Sequence, residues 1–194
     1  MLSNIKKRFP IYNKNPDLIF FDTAASALKV DSMINSITDC YSYEYANIHR
    51  GIYKLSSELT KRYEKTRQLV SEFINAPSAN NIIFTKSATE SINLVSSCLS
   101  DIYFEDGDEV LVSTLEHHAN LVPWHLVSKK IKIISANLKT NGELDYNDLI
   151  EKINSKTKLV ALTHMSNVTG SITNFEDIKK KTNQLNIPIL IDGC

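Results

Sequence analysis

The chain has 194 residues, of which 42% are hydrophobic and 23% are charged, as is usual for one soluble globular domain. Basic and acidic residues both number 22, and no basic stripe of the kind that binds nucleic acid stands out. No apolar run approaches the ~18 residues of a membrane span, and the N-terminus lacks the apolar segment of a signal peptide. Composition therefore predicts neither a nucleic-acid partner nor membrane insertion.

In chain order, short apolar runs alternate with longer segments of helical periodicity. This alternation predicts an open, three-layer α/β/α sheet. The runs at 159–162 and 189–191 are apolar throughout, which is typical of parallel strands covered on both faces. The predicted strands are Leu18–Phe21, Asn81–Thr85, Glu109–Ser113, Ile131–Ser135, Lys158–His164 and Ile187–Asp192. The predicted helices are Ser57–Ile74, Ala88–Ser100, Tyr146–Ile153 and Phe175–Leu185.

The three cysteines, Cys40, Cys98 and Cys194, are far apart and form no CxxC pair. Their spacing argues against a disulfide framework and against a zinc ribbon. Cys40 and Cys98 fall in helical segments and are expected to be small core residues. A reducing cytosol is the expected location, with an organellar matrix as the alternative for a eukaryotic protein because the N-terminus is basic.

A helix start follows the second predicted strand. Ser87 and Glu90 form an S-x-x-E capping box, which predicts that the helix begins at Ala88. The first turn of a helix presents free backbone N–H groups and the positive end of the dipole, and both favour a phosphate group. Thr89 adds a hydroxyl donor. Capping boxes are common, so a plain helix cap is the alternative interpretation.

Polar residues also follow the later predicted strands. Asn167 comes shortly after the strand at 158–164, and Asp192 ends the last strand. Ligands of open parallel sheets bind outside the carboxyl ends of the strands. A carboxylate is costly to bury unless a cation or donors pair with it, and a protonated pyridine nitrogen would be a suitable partner. The alternative is that Asp192 caps a following helix.

The segment Glu116–Asn120 carries two adjacent histidines after the strand at 109–113. No set of ligands at a known metal spacing accompanies them, so no metal site is predicted. An imidazole can instead stack on an aromatic ring or move protons near neutral pH. There is no G-x-G-x-x-G motif after a strand and no Walker A motif, so a nicotinamide or P-loop site is unsupported.

These segments together resemble the SUF-type (class II) cysteine desulfurases and their selenocysteine-lyase relatives, which are fold-type I enzymes dependent on pyridoxal 5'-phosphate (PLP). Six matching stretches occur in the family's order and at similar spacing. They are Phe21–Ser26, Ala46–Gly51, Ala88–Asn93, Glu116–Trp124, Thr163–Asn167 and Asp192–Gly193.

The resemblance implies a role for each candidate site residue. Ala88 and Thr89 correspond to the phosphate anchor of the family. His117 corresponds to the catalytic imidazole that stacks on the cofactor ring and relays protons. Asn167 corresponds to the contact with the phenolic oxygen of the ring and with the substrate, and Asp192 to the partner of the pyridinium nitrogen.

Three further positions match the neighbourhood of the family's substrate and dimer interface. They are Ala25, His49 and Arg50. A purely structural ion pair is the alternative role for His49 and Arg50.

The implied reaction converts L-cysteine to L-alanine and leaves the sulfur as an enzyme persulfide for iron–sulfur cluster assembly. The implied partners are a second copy of the chain and a SUF-type sulfur-acceptor protein. Neither Cys40 nor Cys98 matches the position of the persulfide cysteine, which lies well downstream in the family.

The chain departs from the family pattern at its end. Cys194 stands where alanine is usual, Thr169 stands where an aliphatic residue is common, and the family's Schiff-base lysine, substrate-carboxylate arginine and persulfide cysteine all come later. We therefore expect an N-terminal segment at 1–17, a partial large domain at 18–194, and no small domain. The rival interpretations are a selenocysteine lyase or another class-V-like PLP enzyme, and a non-catalytic truncated chain that only pairs with a partner.

Overall fold

The computed structural model describes residues 5–194, which divide into two compact units. The first unit extends to Phe84 and the second covers Thr85–Cys194. Residues 1–4 of the predicted N-terminal segment lie outside the described residues, and the boundary at residue 17 stays a prediction. The first unit contains α1 (Ile11–Lys14), α2 (Asp31–Asp39), a π-helical turn (Cys40–Glu44), α3 (Lys54–Phe73) and a 3₁₀ turn (Ala79–Asn81).

The first unit confirms the long predicted helix but neither of the strands predicted near its ends. Helix α3 begins three residues earlier than predicted and ends one residue earlier. Leu18–Phe21 is irregular. At 81–85, Asn81 ends the 3₁₀ turn and the four residues after it are irregular. Phe21 is 93% exposed and Ile83 is 71% exposed. The strand predictions are wrong because an apolar run indicates a tendency to bury side chains but does not supply a neighbouring strand for the backbone.

The second unit is built on four parallel strands in the order β2-β1-β3-β4. Leu111 of β1 pairs with Val160 of β3, and Thr163 at the end of β3 pairs with Asp192 at the end of β4. The elements of this unit are α4 (Ala88–Ile102), β1 (Glu109–Ser113), a 3₁₀ turn (His118–Asn120), α5 (Val122–His125), β2 (Lys132–Ala136), α6 (Tyr146–Lys152), β3 (Thr157–Thr163), α7 (Glu176–Gln184) and β4 (Ile189–Asp192).

Both faces of this sheet are covered. Side chains alternate across a strand, so each strand contributes to an apolar cluster on each face. Leu111 and Leu162 point to one core, which α6 and α7 complete. Val112 and Ala161 point to the other core, which includes Trp124 of α5 and residues of α4. The predicted three-layer α/β/α architecture is therefore confirmed. The prediction that Cys98 is a core residue is wrong, because this residue of α4 is exposed.

The predicted strands of the second unit are confirmed within two residues. Strand β1 has the predicted bounds, β2 and β3 are shifted by one residue, and β4 begins at Ile189 instead of Ile187. The Ile187 amide donates to Thr182 at the end of α7 (2.9 Å), so this residue still belongs to the helix–strand connection. Pro188 has no N–H to donate to a ladder, and its carbonyl accepts from Val160 (3.1 Å).

The strand order creates a switch point between β1 and β3. The chain leaves β1 towards β2 on one side, then returns to add β3 and β4 on the other side. Ligands of open α/β sheets bind at the carboxyl ends of the strands at such a point. The residues that follow β1, β3 and β4 are therefore the candidates for a ligand site. Within residues 5–194, no helix is both long enough and apolar enough to cross a bilayer.

Candidate functional site at the carboxyl edge of the sheet

The first turn of α4 is capped as the sequence predicts. The Ser87 Oγ accepts a hydrogen bond from the Glu90 amide (3.2 Å), and Glu90 Oε2 accepts one from the Lys86 amide (2.6 Å). The glutamate thus reaches one residue further back than in the usual capping box. The amides of Ala88 and Thr89 belong to the first turn, where an α-helix offers no carbonyl partner. The Thr89 side chain is exposed, so a ligand can reach this turn.

The loop after β1 is closed by one carboxylate. Glu116 Oε1 accepts from the Ser113 hydroxyl (2.6 Å), and Glu116 Oε2 accepts from the Asn120 side-chain amide (2.6 Å). Asn120 is fully buried, and its backbone carbonyl accepts from the Trp124 indole (2.9 Å). Glu116 therefore connects the end of the strand to a residue that is itself anchored in the core.

His117 lies inside this closed loop with its ring exposed. Its Nδ1 atom accepts a hydrogen bond from the Ala119 amide (3.1 Å) and so caps the 3₁₀ turn. A nitrogen that accepts cannot carry a proton, so the neutral ring holds its proton on Nε2. The exposed His118 ring lies 6.1 Å from the His117 ring, centroid to centroid, at an interplanar angle of 82°.

Burial raises the pKa of the Glu116 carboxyl above its ordinary value. Hydrogen bonds from Ser113, Asn120 and the Thr163 backbone oppose this shift, and repulsion from Asp192 adds to it. The loop after β1 also contacts β3 through its 3₁₀ turn. The sequence pattern assigned no role to Glu116, because its contacts form only when the loop after β1 folds back on itself.

Asp192 is a buried carboxylate at the end of β4, with 8% of its surface exposed. Its backbone carbonyl accepts from the His164 amide (2.7 Å), and this bond continues the pairing of β3 and β4 by one residue. Its Oδ1 accepts from the Cys194 amide (3.1 Å). The side chain is thus held at the strand end by a local turn.

A tight turn after β3 presents Asn167. The buried Ser166 hydroxyl oxygen accepts from the amides of Val168 and Thr169 (3.3 Å each), and Gly170 has a positive φ of 70°. Asn167 is exposed at this turn. The hydroxyl of Thr169 is hydrogen-bonded to the Ser171 hydroxyl (2.7 Å).

Packing brings these segments to the same edge of the sheet. The 3₁₀ turn at His118–Asn120 contacts both α4 and β3. Ile92, one turn after Thr89, shares an apolar cluster with Ala119. The second unit therefore gathers the start of α4, the loop that carries His117 and the ends of β3 and β4.

The remaining candidates belong to the first unit. The exposed His49 has a positive φ of 69°, its amide donates to the Thr60 hydroxyl (3.0 Å), and its Nε2 lies 2.8 Å from Glu64 Oε1. A Cβ on Gly51 would lie 2.1 Å from the Ser56 Oγ, so only glycine fits this turn. Ala25 and Arg50 are exposed. The contacts of His49 favour the structural pair that the sequence left as an alternative.

Fold and polar strand ends together define an α/β protein with polar residues gathered at the carboxyl edge of a parallel sheet. Comparison with known proteins is more specific, because the aminotransferase class-V family matches residues 19–194. The chain belongs to that family.

The relatives identified by sequence carry desulfurase names. A protein of Plasmodium berghei named PbSufS is 41% identical over 197 residues, which cover 98% of this chain and 37% of the relative. Cysteine desulfurase SufS of Plasmodium falciparum is 38% identical over 196 residues, covering 98% of this chain and 36% of that protein. The chain thus spans less than half the length of these relatives.

The structural comparison agrees. The apo structure of a cysteine desulfurase from Thermococcus onnurineus has a TM-score of 0.90 and 32% sequence identity. The match covers 99% of this chain and 47% of that structure. The predicted resemblance to cysteine desulfurases is confirmed.

Proposed function

We propose that this chain forms the cofactor-binding part of a PLP-dependent cysteine desulfurase. The observation that carries the proposal is the convergence of three features at one sheet edge. These features are the accessible first turn of α4, the exposed His117 ring and the buried Asp192 carboxylate. The desulfurase names of the relatives favour sulfur chemistry over the selenocysteine-lyase alternative.

The residues present fit PLP. A phosphate group suits the first-turn amides of Ala88 and Thr89, together with the Thr89 hydroxyl. A buried carboxylate such as Asp192 suits a protonated pyridine nitrogen, which would compensate the cost of burying the charge. Asn167 offers amide donors to the phenolic oxygen of the ring and to the substrate.

The proposed reaction assigns distinct tasks to Asp192 and His117. Bound PLP supplies the electron sink that lets the α-proton of L-cysteine leave. Asp192 would hold a proton on the ring nitrogen, and the His117 ring would cover one face of the cofactor. His117 also moves protons through Nε2, because Nδ1 is engaged by the Ala119 amide.

The finer steps follow from the family resemblance and the relatives' names. L-cysteine would yield L-alanine, with the sulfur passed to a persulfide cysteine and then to a SUF-type acceptor for iron–sulfur assembly. Neither Cys40 nor Cys98 is that cysteine in the proposed scheme. A homodimer in the cytosol is the proposed working form. We expect no alanine production by the 194-residue chain alone above the rate of free PLP.

PLP binding tests the proposal. Asp192→Asn should weaken PLP binding by about 10–100-fold in equilibrium dialysis, since a charge-assisted hydrogen bond contributes ~1.5–3 kcal/mol. Asp177→Asn is the matched control, because Asp177 is an exposed carboxylate on α7. Equal affinity of the two variants would remove Asp192 from the site. Borohydride reduction should trap no PLP on a defined lysine, and a single labelled lysine would contradict the family placement of that residue downstream.

A further inference from the structure

We propose that Glu116 is a positioning residue that holds His117 in one orientation and one tautomer. The inference rests on the proposed function only in taking His117 as the residue that contacts the cofactor. The role assigned to Glu116 is structural, since its carboxylate closes the loop that carries the histidine.

The Glu116 carboxylate bridges the loop that carries His117. Its two oxygens contact residues on opposite sides of His117 in the chain, Ser113 before it and Asn120 after it, both at 2.6 Å. Ser113 is buried at the end of β1, and Asn120 is buried against the core. A side chain of this length, with two polar atoms at its end, can hold both ends of the loop together.

Asn120 also has one side-chain atom without a partner in the described part of the chain. Asn120 Oδ1 is buried and has no hydrogen-bond partner among the described residues. An unsatisfied buried acceptor is destabilising, so an asparagine at this position is a poor choice for stability alone. Its other end donates to Glu116, and that contact explains why an amide is useful here.

The closed loop determines the state of the histidine ring. The backbone amide of Asn120 donates to the His117 carbonyl (2.8 Å), and the backbone amide of Ala119 donates to His117 Nδ1 (3.1 Å). Both donors belong to the turn that Glu116 ties to β1. If the tie is lost, the turn can move away from the ring, and the proton is then free to occupy either nitrogen.

Two conservative variants distinguish the effect of the length of the Glu116 side chain from the effect of its charge. Glu116→Gln keeps the length of the side chain and can still bridge Ser113 and Asn120. Glu116→Asp keeps the charge but is one methylene too short to reach both residues. Ser113→Ala removes one end of the bridge and leaves the carboxylate in place. Glu151→Gln is the control, because Glu151 is exposed on α6.

The readout is the ring ¹⁵N NMR spectrum of His117 in the 194-residue chain without PLP. We expect the Nε2–H tautomer alone in the wild type, in Glu116→Gln and in the control. Glu116→Asp and Ser113→Ala should lose this single pattern and give a mixture. A single tautomer in all folded variants would overturn the inference, as would its loss in Glu116→Gln. If the spectra are as expected but the wild type binds no PLP, the proposed function fails while the positioning inference stands.

Discussion

Two glutamate–histidine pairs, one in each unit, use the same residue types in opposite surroundings. Glu64 in the first unit contacts the ring of His49 directly (2.8 Å), and both side chains are about half exposed, at 46% and 49%. Glu116 in the second unit is largely buried and holds its neighbour His117 through the loop between Ser113 and Asn120.

The surroundings reverse the effect on the carboxyl group. The pKa of Glu64 is lowered, chiefly by the hydrogen bond from His49 and also by the Arg67 guanidinium. The pKa of Glu116 is raised, because burial outweighs its hydrogen bonds. The comparison teaches that the number of hydrogen bonds does not decide the direction of the shift when one group is exposed and the other is desolvated.

The largest loss of stability is expected at Trp124, which anchors the Glu116–His117 loop in the core. Trp124 is fully buried and its indole donates to Asn120. Trp124→Ala should lower the free energy of unfolding by about 3–5 kcal/mol, the range for a large aromatic core residue. Urea denaturation of the chain measures this change. Leu126→Ala is the control, because Leu126 is 73% exposed, and a similar loss there would show that Trp124 is not a special anchor.

The second prediction concerns the turn that carries the exposed pair. Gly51→Ala places a Cβ 2.1 Å from the Ser56 Oγ and 2.4 Å from its Cβ. Ser56 is fully buried, so the clash should cost about 1–3 kcal/mol of stability, measured in the same denaturation experiment. Gly193→Ala should cost far less, because a Cβ there meets no atom within 4 Å. Equal costs would mean that the turn opens freely.

The third prediction uses the raised pKa of Glu116. The unfolded carboxyl ionises near its ordinary value of 4.5, whereas the folded one keeps its proton to higher pH. The folded state then binds more protons, so this group's contribution to stability is lost as pH rises from 4.5 through the folded pKa. Glu116→Gln should flatten the stability profile above 4.5, and Glu151→Gln should not. An unchanged slope in Glu116→Gln would refute the assigned direction.

The smallest effect is expected at Glu64, with the opposite sign. Its pKa is lowered, so its contribution is present above the ordinary value of 4.5 and is lost as pH falls through the folded pKa. Glu64→Gln should therefore reduce the loss of stability on acidification below 4.5. Added salt should shrink the difference, since exposed ion pairs are screened. Persistence of the full difference at high salt would indicate that the pair is more enclosed than its exposure suggests.

The sequence was informative where local chemistry determines the structure. The capped start of α4 at Ala88 and the apolar strand β3 were predictable, because a cap is local and a doubly covered strand is apolar throughout. The predicted strand at 18–21 failed, since pairing depends on a neighbour that the run itself does not encode. Glu116 was missed for a related reason, because its importance comes from burial in the folded loop, which a local sequence pattern does not encode.

The proposed function requires that a phosphorylated heteroaromatic binds at the carboxyl edge of the sheet in the second unit. Adding PLP to the ¹⁵N-labelled chain and recording amide and ring NMR shifts tests it most directly. We predict that the Ala88 and Thr89 amides, the His117 ring and the Asn167 side chain shift together along one saturable curve. Shifts confined to exposed lysine-rich segments, with these four groups unchanged, would contradict the claim.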